Sequence, residues 1–119
     1  MSAINFFLSK GYTPVNKNTI ISGVDTVTLW APLSSANKIV LTDLSLSCIN
    51  ASTIAFYIGS SVTGPAKVAE FILANSATVS PVIGGWDSSG YGYNLYCKLK
   101  TSGTDGMRVN LTGFEIPTW

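Results

Sequence analysis

Six carboxylates and two thiols are the first groups of this chain to weigh for acid–base or covalent chemistry: Asp25, Asp43, Glu70, Asp87, Asp105, Glu115, Cys48 and Cys97. No histidine accompanies them. That removes a Ser-His-Asp or Cys-His arrangement and an imidazole general base. Zinc would have to use two cysteines and scattered carboxylates, unlike its usual Cys and His donor sets. Two carboxylates could in principle meet as a glycosidase couple. Asp87 or Asp105 could ligate Ca²⁺ with loop carbonyls, but each lies beside Gly or Ser, where Asp is an ordinary turn residue. Gly84-Gly85 and Gly103-Thr104-Asp105-Gly106 lack the lysine and spacing of a phosphate-binding loop and precede strand-like segments. The expectation is a non-enzyme with no catalytic residue, no metal site and no cofactor.

One segment has the residue types of a binding site. Trp86, Tyr91 and Tyr93 lie with Asp87, Ser88, Ser89 and Asn94 in a Gly-rich stretch. Aromatic faces beside short polar groups suit sugar rings, and the same mixture suits protein contacts. The structural alternative is that Trp86 plugs one end of the fold. The chain also carries Phe6, Phe7 and Leu8 near its start and Trp119 at its end. These apolar residues would pack on the domain or on a neighbouring subunit.

The elements that must position these residues are strands. Short apolar runs alternate with polar residues and are separated by turn residues. The clearest is Asp43-Leu44-Ser45-Leu46-Ser47-Cys48. Strand segments are expected at 19–22, 25–30, 38–49, 53–59, 66–73, 77–83, 93–100 and 107–116. Residues 66–74 are the only serious helix candidate. Because alternate residues of a strand share a face, Leu44, Leu46 and Cys48 should point inward. So should Ile54, Phe56 and Ile58; Ala69, Phe71 and Leu73; Tyr93, Leu95, Cys97 and Leu99; and Met107, Val109 and Leu111. Matching the first two stripes as a hairpin puts Cys48 opposite Ile54, Leu46 opposite Phe56 and Leu44 opposite Ile58, around a three-residue loop at 50–52.

One dry and one wet face imply antiparallel pairing. The fold class expected is all-β: an antiparallel β-sandwich, jelly-roll-like, with seven or eight strands. An immunoglobulin-like strand order stays open. Residues 1–18, interrupted by Gly11, Pro14, Asn16 and Asn18, read as an extended N-terminal arm, and 19–119 as a single domain.

Composition bounds the partners. Charged residues make up 11% of the 119, with a net charge of +1, against a usual share of about 25%. Fifteen Ser, twelve Thr and eight Asn supply the polar surface instead. That offers phosphate backbones no positive field, so nucleic acid is not an expected partner. So little charge also leaves little repulsion between copies, which favours self-association. No apolar stretch approaches the roughly 18 residues needed to span a bilayer. Met1–Lys10 lacks the pattern of a secretory leader. Synthesis in a cytosol is expected, with Cys48 and Cys97 as reduced, buried thiols rather than a bridge.

The stretch Gly106-Met107-Arg108-Val109-Asn110-Leu111-Thr112-Gly113-Phe114-Glu115-Ile116 resembles the last strand of small β-sandwich virion proteins of tailed bacteriophages. There an alternating strand ends in Gly-aromatic-Glu-aliphatic. The likeness covers about a tenth of the chain and carries no functional residue across. It implies a capsid decoration (cement) protein, located in the virion. Its expected partners are itself, with a trimer favoured, and the major capsid protein. Phe6, Phe7, Leu8, Trp86, Tyr91 and Trp119 are the expected partner contacts. The alternative is a carbohydrate-binding module or a receptor-binding tail tip, with a glycan as partner.

Overall fold

The computed structural model describes residues 12, 14–59, 66–81, 86–87, 92–100 and 106–117. Within them the chain forms nine strand segments and no helix: β1 (Val15–Ile21), β2 (Val27–Trp30), β3 (Asn37–Cys48), β4 (Ser52–Gly59), β5 (Ala66–Leu73), β6 (Thr78–Val79), β7 (Trp86–Asp87), β8 (Asn94–Leu99) and β9 (Met107–Pro117). One sheet has the order β1-β9-β3-β6, with β7 also paired to β3; the other has the order β2-β8-β4-β5. All pairs are antiparallel. The segments β6 and β7 meet opposite ends of β3, at Leu46–Ser47 and Val40–Leu41, so together they act as one interrupted edge strand. The all-β antiparallel sandwich expected from the alternation is what forms, and residues 66–73 are a strand.

The pairing is nested. β4 pairs β5, β3 pairs β6 and β7, β2 pairs β8, and β1 pairs β9. Further contacts, β3 with β9 and β4 with β8, close the two sheets. Their inner faces form the core. Leu46, Ile54, Phe56, Cys97 and Met107 are fully buried there, together with Leu44, Cys48, Leu73, Leu95, Leu99, Val109 and Leu111. These are inward positions of the alternation, and burying each large one stabilises the fold by about 1.5–3 kcal/mol.

Bulges let long strands keep feeding one core. In β3 the buried residues Ile39 and Leu41 have odd numbers, whereas Leu44, Leu46 and Cys48 have even ones. The register shifts between Leu41 and Asp43, opposite Gly113 and Thr112. An extra residue there swaps the faces and keeps both halves pointing inward. In β2 the shift between Thr28 and Trp30 lets Leu29 and Trp30 both be buried.

Four expectations change. First, β3 and β4 are not a hairpin: they lie in different sheets. The stripe Leu44/Leu46/Cys48 faces Ile54 and Phe56 across the interior, an arrangement that satisfies matching dry faces equally well. Second, the first strand starts at Val15 rather than Thr19, so the sheet takes in Asn16 and Asn18. Both are exposed on the wet face, where Asn is tolerated, and Thr112 Oγ1 donates to Asn16 Oδ1 at 2.6 Å. The rest of the expected arm, except Tyr12 and Pro14, lies outside the described residues. Third, Trp86 and Asp87, expected in a loop, pair with Leu41 and Val40. Fourth, Tyr93 precedes β8 and is exposed rather than inward.

Candidate functional site

Phe6, Phe7, Leu8, Tyr91 and Trp119 lie outside the described residues. Of the expected contacts, Trp86 is placed, by the pairing of β7 opposite Leu41. Tyr93, 37% exposed, follows Gly92, whose amide donates to Asn37 O at 2.7 Å. Gly92 has a φ of +79°, and a Cβ there would stand 3.0 Å from Ser35 O. The conformation therefore calls for glycine, and it ties the end of the aromatic segment to the loop between β2 and β3.

That loop is also held by a carboxylate with three hydrogen-bond donors. Glu115, near the end of β9, accepts hydrogen bonds from Trp30 Nε1 at 3.0 Å, Leu33 N at 2.8 Å and Asn37 Nδ2 at 3.0 Å. Burial pushes the Glu115 carboxyl up, but the bonds from Asn37, Trp30 and Leu33 and the charge of Lys17 outweigh it, leaving it below its ordinary value. The neighbouring Gly113 belongs to the same assembly. A Cβ there would collide with Val40 O and come within 2.7 Å of Trp30 Cζ3. Glycine thus lets the Trp30 ring lie against β9 and reach Glu115. Phe114, between them, is fully buried although it points to the opposite face from Val109 and Leu111. The Gly-Phe-Glu run is explained by packing and hydrogen bonding. Sequence reasoning missed this cluster; its signal was a Trp before Ala31-Pro32, where a strand must end, and a Glu in an apolar strand.

The thiols are structural as well. Cys48 and Cys97 are buried and unbridged, as expected. Burial pushes the Cys97 thiol up to about 12. Cys48 Sγ donates to Ala74 O at 3.3 Å. Among the described residues no group of three or more His, Cys, Asp or Glu could hold a metal ion, and no helix is long and apolar enough to cross a membrane.

Among the described residues, the wet face of each sheet carries a shallow trough. On the five-stranded sheet, about 420 Å³ is lined by Asn16, Asn18, Asp43, Ser45, Asn110 and Thr112. On the four-stranded sheet, about 240 Å³ lies over Thr53 and Ala55, between Lys98 and Lys100 on one side and Glu70 on the other. Both are open and floored by short side chains, suited to contact with another surface more than to enclosing a small molecule.

No family model matches the chain, and no curated protein matches it. Among solved structures, a chain from Bacillus is similar in fold, from the work titled "Bacillus endospore appendages form a novel family of disulfide-linked pili". The likeness covers 88% of this chain and 90% of that one, at 17% identity and a TM-score of 0.49.

Proposed function

We propose that this protein is a non-enzymatic structural protein that works through protein–protein contacts, as a capsid decoration (cement) protein clamping neighbouring capsid subunits. One observation carries the reading: among the described residues, Glu115 and the two buried thiols serve to hold the sandwich together. Glu115 is engaged by three donors, and Cys97 is a buried, neutral thiol. The chain as a whole has only 11% charged residues and draws its polar complement mainly from Ser, Thr and Asn, so copies can approach with little repulsion. The nested strand pairing, with β6 and β7 counted as one edge, supports reading the sandwich as a jelly roll. Its partners are then copies of itself, with a trimer favoured, and the major capsid protein; its place is the virion. Residues 1–18 supply Phe6, Phe7 and Leu8 as a lattice contact, and Trp86, Tyr91 and Trp119 are further contacts.

The test is co-sedimentation of the purified protein with capsids lacking it, alongside light scattering of the free protein. Binding at fixed stoichiometry, lost on changing Phe6 and Phe7 to Ser with the fold intact, is expected. A protein that stays monomeric and ignores capsids rules the reading out. The exposure of Tyr93, just before β8, favours one second reading, a glycan-binding tail tip. Glycan-array binding lost in Trp86→Ala or Tyr93→Ala would support it.

A further inference from the structure

A sheet edge is an unfinished hydrogen-bonding row, and proteins protect such edges by shortness, bulges, charge or proline. Three edges of this sandwich are protected. β2 has four residues and a bulge. β6 and β7 have two residues each. β1 carries Asn16, Lys17 and Asn18. The fourth edge, β5, runs for eight residues at the end of the order β2-β8-β4-β5.

Among the described residues, a bulge protects only its first part. The register with β4 shifts so that Phe56 opposes Ala69 while Tyr57 opposes Lys67, which leaves Val68 as an extra residue. The bulge puts Lys67 on the same face as Glu70, a pair that a regular strand would point to opposite faces. Lys67 Nζ then lies 3.2 Å from Glu70 Oε1. Beyond the bulge, Ala69–Leu73 is regular, with Ala69, Phe71 and Leu73 inward and Glu70 and Ile72 outward. Ile72 is 81% exposed, more than any other large apolar side chain on a described strand.

We propose that this half of β5 is a self-association edge, on which the β5 strand of a second copy pairs antiparallel about a two-fold axis at Ile72. This rests on the reading of the chain as a protein that assembles with itself. The occupant follows from the strand's own pattern. Centred on Ile72, the pairing sets Ile72 against Ile72 of the other copy and Phe71 against its Leu73, so apolar meets apolar on both faces. It also sets Glu70 against Ala74, with the two Glu70 carboxylates about 13 Å apart at ~3.3 Å per residue. Centring one residue earlier would oppose Ile72 to Glu70 and bring the two carboxylates to diagonal positions about 7–8 Å apart, a like-charge contact. A two-fold contact uses one patch twice and closes on itself. It joins two four-stranded sheets into one of eight strands and can link trimers as well as single copies.

Ile72→Cys tests the geometry. At the two-fold axis the introduced thiols face each other at disulfide distance, and the native thiols are buried. Mild oxidation should give a covalent dimer on a non-reducing gel, whereas Ile20→Cys, exposed on β1, should not. Ile72→Lys places two like charges at the axis and should weaken self-association at least tenfold by light scattering, with an unchanged circular dichroism spectrum. Amides 70–74 should gain hydrogen-exchange protection as protein concentration rises. The proposal is overturned if Ile72→Cys fails to cross-link, if Ile72→Lys keeps the wild-type mass, or if the wild-type protein is a monomer. Protection of 70–74 that appears only on adding capsids, without cross-linking, would assign the edge to a foreign strand and also overturn it. Capsid co-sedimentation reads the proposed function separately: binding that survives Ile72→Lys leaves that function standing while the edge contact falls.

Discussion

Trp30 Nε1 donates a 3.0 Å hydrogen bond to Glu115 Oε2 across a separation of 85 residues in sequence. Trp30 is buried at 1% exposure, so its N–H has no access to bulk water and must find an acceptor inside the protein. The bond joins the end of β2, in one sheet, to the end of β9, in the other. It makes Glu115 a clamp between the two layers.

Removing the clamp should cost stability. Glu115→Ala is expected to lower the unfolding free energy by about 2 kcal/mol, because three donors lose a charged acceptor. Trp30→Phe, which keeps most of the ring and deletes the donor, should cost about 1 kcal/mol more than its loss of packing. Urea unfolding followed by tryptophan fluorescence checks the first. For the second, circular dichroism is the better signal, since the substitution removes a fluorophore.

The same carboxyl gives a pH dependence with a definite sign. Its folded value lies below the ordinary 4.5, so in the window below about 4.5 the unfolded chain binds more protons at this site than the fold does. Stability from Glu115 is fully present above that value and is lost as pH falls through the folded one. The urea midpoint should therefore drop on acidification below pH ~4.5. In Glu115→Gln that drop should be shallower; an unchanged slope would show that other groups carry it.

Gly113→Ala should destabilise the protein by about 2 kcal/mol or more, since the new methyl collides with Val40 O and the Trp30 ring. Relief should come from the ring side. If Trp30→Leu is added, the second substitution should cost less than it does in the parent, a coupling readable in a double-mutant cycle.

Cys97 should be inert. With the thiol pushed up to about 12 by burial, the thiolate is scarce at neutral pH and the sulfur has no route to solvent. Its neutral form is favoured in the fold, so the matching stability is complete below the ordinary 9.0 and is lost as pH rises towards 12. A thiol reagent should modify Cys97 at the global unfolding rate, with labelling in the native state overturning this. Cys97→Ser should destabilise, through a hydroxyl placed in an apolar core.

The sequence by itself determined many of the inward-facing residues, though not the exposed Tyr93, and that the fold is made of antiparallel strands. Side-chain direction in a strand is a local, two-residue period, so Leu44, Leu46, Cys48, Ile54, Phe56, Leu95, Cys97, Leu99, Met107, Val109 and Leu111 could be assigned from their spacing and are buried. Only the tertiary structure decided which strands are neighbours. An apolar stripe looks the same whether its mate lies beside it in a sheet or faces it across a core, so β3 and β4 went to separate sheets against a pattern that also fitted a hairpin. The same holds for Val15–Asn18, where β9 supplies a ladder that Asn would not seek alone. It holds too for Glu115, whose partners Trp30, Leu33 and Asn37 are some eighty residues away and meet it only when the two sheets close.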